Sequence, residues 1–450
     1  MTTRIFLAST LYGAATLAAA LDADLFGPAD RTVLLVANNA ATPETSPALD
    51  EMPGFERLRG RFDEVLSWNE TIAPFHPGGW GARQEDIPLW ERYLRLTWRL
   101  GDDDVALVVE SIQVNPAMTV AQIFTGAPIE VYADGLMSYG PTRNKLDPLV
   151  GTRVRRLLHL DLVPGLTPLL LTEFGVPPEV VPTDAFLKVL GELGDDVSAT
   201  ELPDLDSPDL EAPALLLGQY LSALEILTAE QEENLHLRML RGAVELGHRR
   251  IVFKPHPTAP VGWSKGLEAE AAKLGVTLTV LDSPVLAEVL YQRMRPALVV
   301  GCFSTALLTA SALYGLPVAR VGTDTLLDRL SPYQNSNRIP VTLVDVLLPE
   351  LTDREAVEAQ RIGQPAEELN GLVTAVGFAM QPKVYPNRRA DAEKYLTTRL
   401  NDRTWRYFKR RRLTSLGLPG AVPAQLSFLP RNATVRRVAR KARSLKRALS

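Results

Sequence analysis

The chain has 450 residues, too many for one typical domain and enough for two or three. Hydrophobic residues make up 46%, as in globular proteins with sizeable cores, and the single cysteine, Cys302, excludes an intramolecular disulfide framework and any multi-cysteine zinc site. The net charge of −5 hides an asymmetry: residues 401–450 hold 14 Lys+Arg and one acid, Asp402, so the rest of the chain is strongly acidic and should repel nucleic acid.

Residues 4–8 read as a strand, followed by the turn Ser9-Thr10 and a helix over 11–21. Arg4 ahead of an apolar run ending in Ala18-Ala19-Ala20 is also a signal-peptide pattern. Ser9, Thr10, Tyr12 and Gly13 interrupt that run where a signal sequence is most apolar, which favours strand and helix. Strands are predicted at 32–37, 64–68, 105–110 and 129–133, and helices at 88–100 and 117–125. Residues 202–209 are acidic, carry two prolines and lack periodicity, so they are the best linker candidate. A second alternating block follows. Its strands are expected at 214–217, 251–253, 277–281, 297–300 and 318–321, with helices at 229–246, 267–274, 285–293 and 304–314. Such alternation predicts an α/β protein of two mostly parallel, Rossmann-like sheets facing a cleft. The expected domains are 1–190, a linker at 191–213, 214–383, and a helical, strongly basic extension at 384–450.

Three places carry candidate chemistry. Lys254-Pro255-His256-Pro257 ends an apolar strand abruptly, and its prolines stiffen the chain around one histidine. The carboxyl ends of strands are where open α/β sheets bind ligands. Ser304 and Thr305 stand where a strand turns into a helix. There a hydroxyl serves as an N-cap, and free N–H groups with the helix dipole suit a phosphate. Both readings hold at this point. Asp134-Gly135 closes the strand 129–133; the pair is a common turn, and it also places a carboxylate at the ligand edge of the first block. Supporting positions are Gln219 after the strand 214–217, Glu110 and Asn115 on the first block, and Arg338, a candidate bidentate partner for a carboxylate. No two of the five histidines stand four residues apart, so ligand spacing does not support a catalytic metal.

At these residues the chain resembles a known group. Ala133-Asp134-Gly135, Lys254-Pro255-His256-Pro257 and Ser304-Thr305 occur in the order of three motifs of bacterial GT-B sialyltransferases: an acidic motif, a His-Pro motif and a paired Ser/Thr motif. The segment Phe6 to Gly13, which includes Ser9 and Thr10, and the run Asn335-Ser336-Asn337-Arg338-Ile339-Pro340 also look like the bacterial alpha-2,8-polysialyltransferase-like family. The likeness covers roughly residues 4 to 390. It implies a GT-B fold and a metal-independent, inverting transfer of sialic acid from a CMP-sugar to a surface or lipid-linked glycan, without a cofactor. By motif position Asp134 is the expected general base, and His256, Ser304 and Thr305 are expected to manage the leaving CMP phosphate, with Lys254 and Gly135 beside them. Ala133 departs from the pattern, since it replaces the first acid of the acidic motif. The rival readings are a CDP-glycerol polymerase, a CMP-Kdo transferase, or a non-catalytic nucleotide-binding protein of envelope assembly. The resemblance also makes residues 4–8 a core strand and favours a cytoplasmic protein.

The basic end forms its own candidate. Residues 434–449 place Val435, Val438, Ala442, Leu445 and Leu449 at helical spacing among arginines and lysines, a pattern suited to an anionic membrane surface. Trp405, Tyr407 and Phe408 beside the basic run 409–412 are expected to add an interfacial anchor. A solvated basic tail is the other reading.

Overall fold

The computed structural model describes residues 1–195, 212–256, 264–359 and 366–421. The linker candidate 202–209, Pro257 and the basic helix 434–449 lie outside the described residues.

Seven strands form the first sheet: β1 (Thr2–Ala8), β2 (Arg31–Val36), β3 (Glu64–Ser67), β4 (Asp104–Glu110), β5 (Ile129–Ala133), β6 (Val154–His159) and β7 (Pro178–Val180). Their spatial order is β3-β2-β1-β4-β5-β6-β7. Five form the second: β8 (Ala214–Leu217), β9 (Arg250–Lys254), β10 (Thr277–Val280), β11 (Leu298–Gly301) and β12 (Val318–Arg320), in the order β10-β9-β8-β11-β12. The ladders of both sheets are parallel. The chain is therefore an α/β protein with two doubly wound sheets, the architecture expected from its alternation.

Parallel strands covered on both faces must be apolar on both, and β1 shows it: Phe6 and Ala8 enter one core, Ile5 and Leu7 the other. β1 is bonded to β2 on one side and β4 on the other, so the amino-terminal apolar run is the centre of the first sheet. It continues into the helix Leu11–Asp22, capped by Thr10, whose Oγ1 accepts the Gly13 N–H at 2.9 Å.

The helix Thr183–Asp195 sits between the units. It packs on the helix Leu11–Asp22 of the first and the helix Ala287–Met294 of the second. Its Phe186, Val189, Leu190 and Leu193 belong to the same continuous core as Leu215 and Val252 of the second sheet. The carboxy-terminal helices return to the first unit. After the helix Ala366–Met380, Gln381 Nε2 donates to the Arg143 carbonyl at 2.6 Å, and Tyr385 Oη lies 3.0 Å from both Thr142 N and Leu169 O.

The aromatic anchor expected at 405–408 is corrected. Tyr407 and Phe408 are buried, and the Tyr407 hydroxyl donates to Asp345 at 2.7 Å. Trp405 is half-buried with the Arg410 guanidinium 4.9 Å from its ring centre. Apolar demand inside the fold claims these rings before a membrane can.

Candidate active site

In both sheets the strand order reverses beside the first strand of the unit, between β1 and β4 and between β8 and β11. Crevices open at such switch points, outside the carboxyl ends of the strands. Two recesses adjoin there. The first is lined by Glu110, Gln113, Asp134, Arg143, Ser304 and Ser336 among others, the second by Thr10, Lys254, His256, Glu288, Ser304 and Ala306. Asp134, Gly135, Ser304 and Thr305 line both. The three motifs, 170 residues apart from first to last, thus meet at one cleft between the units.

Asp134 follows β5 directly, and burial pushes its carboxyl above the usual aspartate range. The carboxyl of Glu110, at the end of adjacent β4, is 9% exposed and pushed up to about 7 by burial and then by the Asp134 charge. The Tyr132 hydroxyl lies 3.1 Å from Glu110 Oε2 and 3.0 Å from the Leu7 carbonyl. Ser9 also hydrogen-bonds Glu110 through its side chain and its backbone. Gly13 gives this group its room: a Cβ there would stand 3.0 Å from Tyr132 Oη and 3.3 Å from Asp134 Oδ2.

Across the cleft, β11 ends at Gly301 and the helix Thr305–Ala312 begins with Ser304 as N-cap, its Oγ accepting the Ala306 N–H at 3.3 Å. Thr305 Oγ1 stands 3.5 Å from the Leu136 amide of the first unit, and a Cβ on Gly135 would come within 3.1 Å of it. The acidic turn therefore seats directly against the hydroxyl pair. Gln219 accepts the Phe303 N–H at 2.8 Å and so fixes the loop leading into that helix while lining the first recess.

β9 stops at Pro255, and the Lys254 carbonyl takes the Gly218 N–H at 2.8 Å. Lys254 Nζ donates to the Ser283 carbonyl at 3.2 Å; burial pushes its ammonium down to about 8, with the charges of Glu288 and Asp282 opposing the shift. His256 stands more open at the mouth of the second recess. Partial desolvation and then the Lys254 charge hold its imidazole below the usual histidine range. Glu288, 3% exposed, accepts the Thr309 hydroxyl at 2.7 Å, and burial raises its carboxyl.

The expected positions Arg338, Asn335 and Asn115 lie outside the lining of both recesses. Arg338 is 0% exposed; its guanidinium donates to the carbonyls of Tyr333 and Leu330, both at 2.8 Å, and lies over the Tyr333 ring. It holds a turn together inside the fold and lines neither recess. Asn335 accepts the Asn337 N–H at 3.0 Å as a local cap, and its neighbour Ser336 is the residue that reaches the cleft. Asn115 likewise turns to Thr119, at 2.8 Å. Conversely, Gln113, Arg143 and Glu288 went unnoticed in the sequence, and Gly13 stood out there only as part of the amino-terminal segment. Only Glu288 carried a signal, an acid on the apolar stretch 285–290. Among the described residues no group of three His, Cys, Asp or Glu gathers as a metal site would require.

A family model described as alpha-2,8-polysialyltransferase matches residues 4–323, well over half of the chain. No curated protein matches. Among solved structures, the GT-B domain of a sialyltransferase from Photobacterium damselae is 13% identical with a TM-score of 0.41, covering 76% of this chain and 96% of that one. A UDP-GlcNAc 2-epimerase from Methanocaldococcus jannaschii is 12% identical with a TM-score of 0.47, covering 80% and 91%. MurG from Acinetobacter baumannii is 12% identical with a TM-score of 0.40, covering 87% and 94%.

Proposed function

The chain belongs to the alpha-2,8-polysialyltransferase family and is a glycosyltransferase of GT-B architecture; from that premise we propose that it transfers sialic acid from a CMP-sugar to a glycan acceptor. The observation that carries this reading is the meeting of Asp134, Ser304, Thr305, Lys254 and His256 at one cleft.

In the proposed reaction the acceptor hydroxyl attacks the anomeric carbon from the face opposite CMP. Its oxygen–carbon bond forms as the bond from that carbon to the phosphate oxygen breaks, so configuration inverts. Asp134 takes the hydroxyl proton, a task its half-buried carboxylate suits once ionised. Negative charge grows on the departing phosphate. The Ser304 and Thr305 hydroxyls and the amino end of the helix Thr305–Ala312 are set to meet it, with the Lys254 ammonium beside them. His256, held low, offers a neutral N–H to the phosphate in the empty cleft, and an arriving phosphate raises its proton affinity. Ala133 supplies no first acid, and Glu110, which lines the first recess with Asp134, is the second carboxyl available there.

The proposed acceptor is a surface or lipid-linked glycan, reached from a membrane face through the basic residues 401–450. No helix among the described residues is long and apolar enough to cross a membrane. Transfer from radiolabelled CMP-sialic acid, by the wild type and by Asp134→Ala, tests the reading. We expect Asp134→Ala to lose transfer by a factor on the order of 10² to 10⁴ while still binding CMP. Equal transfer by both proteins removes Asp134 from the base role.

A further inference from the structure

Arg143 is the one Lys or Arg among the described residues lining the first recess. It shares that recess with two carboxyls, Glu110 and Asp134, yet its guanidinium has no hydrogen bond, ion pair or ring partner among the described residues. Burial lowers its affinity for the proton, as expected of a charge half removed from water without compensation. Such a charge is costly to hold and is usually paired.

Its backbone, by contrast, is clamped. The Arg143 N–H donates to Gln113 Oε1, and its carbonyl accepts Gln381 Nε2 at 2.6 Å. The preceding Thr142 is fixed through its N–H to Tyr385 Oη at 3.0 Å, and through its hydroxyl to the Leu171 N–H at 3.0 Å. Residues from three parts of the chain therefore hold one main-chain segment still while leaving five guanidinium donors unused. This is the arrangement of a preorganised receptor for a planar anion.

We propose that Arg143 receives the carboxylate of a sugar acid in the cleft, and that this contact makes the site selective for acidic over neutral sugars. The inference rests on the sialyl-transfer reading above. A phosphate is the less suited guest, because Lys254 and His256, proposed to meet it, line only the second recess. The carboxylate belongs either to the donor sugar or to a sialylated acceptor, and both are the same chemistry for a guanidinium fork.

The test uses the full chain, Arg143→Gln and Arg143→Lys. In the donor arm, calorimetry compares CMP with a non-transferable CMP-sialic acid analogue. A donor carboxylate predicts that Arg143→Gln keeps its CMP affinity and loses about 10- to 100-fold for the analogue, the scale of a charged hydrogen-bonding contact. In the acceptor arm, the KM for a sialoside acceptor is compared with that for its carboxylate methyl ester. An acceptor carboxylate predicts a similar rise in KM for the free acid alone. Arg143→Lys, which keeps the charge and loses the fork, should recover part of either loss; it serves as the folded control should Arg143→Gln unfold. Unchanged analogue affinity and unchanged acceptor KM in both variants overturn the Arg143 assignment. A wild type that binds neither CMP nor its sugar overturns the sialyl reading, and the Arg143 inference falls with it.

Discussion

Glu110 and Asp134 end adjacent strands, and their carboxyls line one recess shielded from water. Like charges in such a place resist joint ionisation, so the protons leave in steps that belong to the pair. Burial raises Asp134 and burial with the Asp134 charge brings Glu110 to about 7, while Lys254 sits near 8. The sign follows from the roles: the base works only when ionised, and the phosphate site is strongest while Lys254 is charged. With Asp134 as the proposed base, a profile of kcat/KM against pH should therefore rise at a pH above the usual aspartate range and fall above about 8. Glu110→Gln removes a like charge from beside Asp134, so the rising limb should move to lower pH with activity retained. A limb that stays in place would show that Glu110 does not take part. Asp134, Ser304 and Thr305 were legible because a strand end and a helix start are marked in one dimension. Arg143 and Gly13 were not, since their roles depend on what stands opposite them. The burial of Arg338 was not legible either: its guanidinium donates to carbonyls only five and eight residues away.

Most strands of both sheets were visible as apolar runs, since a parallel strand is buried on both faces. β6 and β7 were missed. Arg155 and Arg156 break the run of β6, and β7 is a three-residue edge strand opening on Pro178. The helix Thr183–Asp195 was missed too, although it packs on a helix of each unit. The carboxy-terminal elements matter in the same way. Tyr385 Oη lies within hydrogen-bond distance of Thr142 N, Leu169 O and Glu173 Oε2, at 2.9 to 3.0 Å. Tyr385→Phe should leave these groups unsatisfied, lower stability in denaturant by about 1–3 kcal/mol, and raise the KM for the sugar substrate more than it lowers kcat. Unchanged stability and KM would mean that the cleft wall is held without this residue.

Charge is arranged on the scale of the whole molecule. Residues 1–195, which supply Asp134 and the wall around Arg143, contain 26 Asp+Glu against 15 Lys+Arg. A long polyanionic acceptor lying across that unit meets repulsion over a Debye length of about 8 Å at physiological salt. Initial rates should therefore be higher with short sialosides than with long polysialic chains at low ionic strength, and the gap should narrow as salt is added. Rates that climb with acceptor length at low salt would contradict this.

The sequence by itself determined the fold class and the order of the motifs, and it marked Asp134 as a strand end and Ser304-Thr305 as a helix start. Burial pattern, prolines and caps are local properties, readable from neighbours along the chain. It also showed the opposition between an acidic body and a basic end. Only the tertiary structure decided that the turn after Asp134 seats against Thr305, that the Asp134 charge helps raise the Glu110 carboxyl, that Arg338 is internal and that the Arg143 guanidinium has no partner among the described residues. Those facts depend on contacts between residues tens to hundreds of positions apart, and no periodicity records which strand ends a fold will bring face to face.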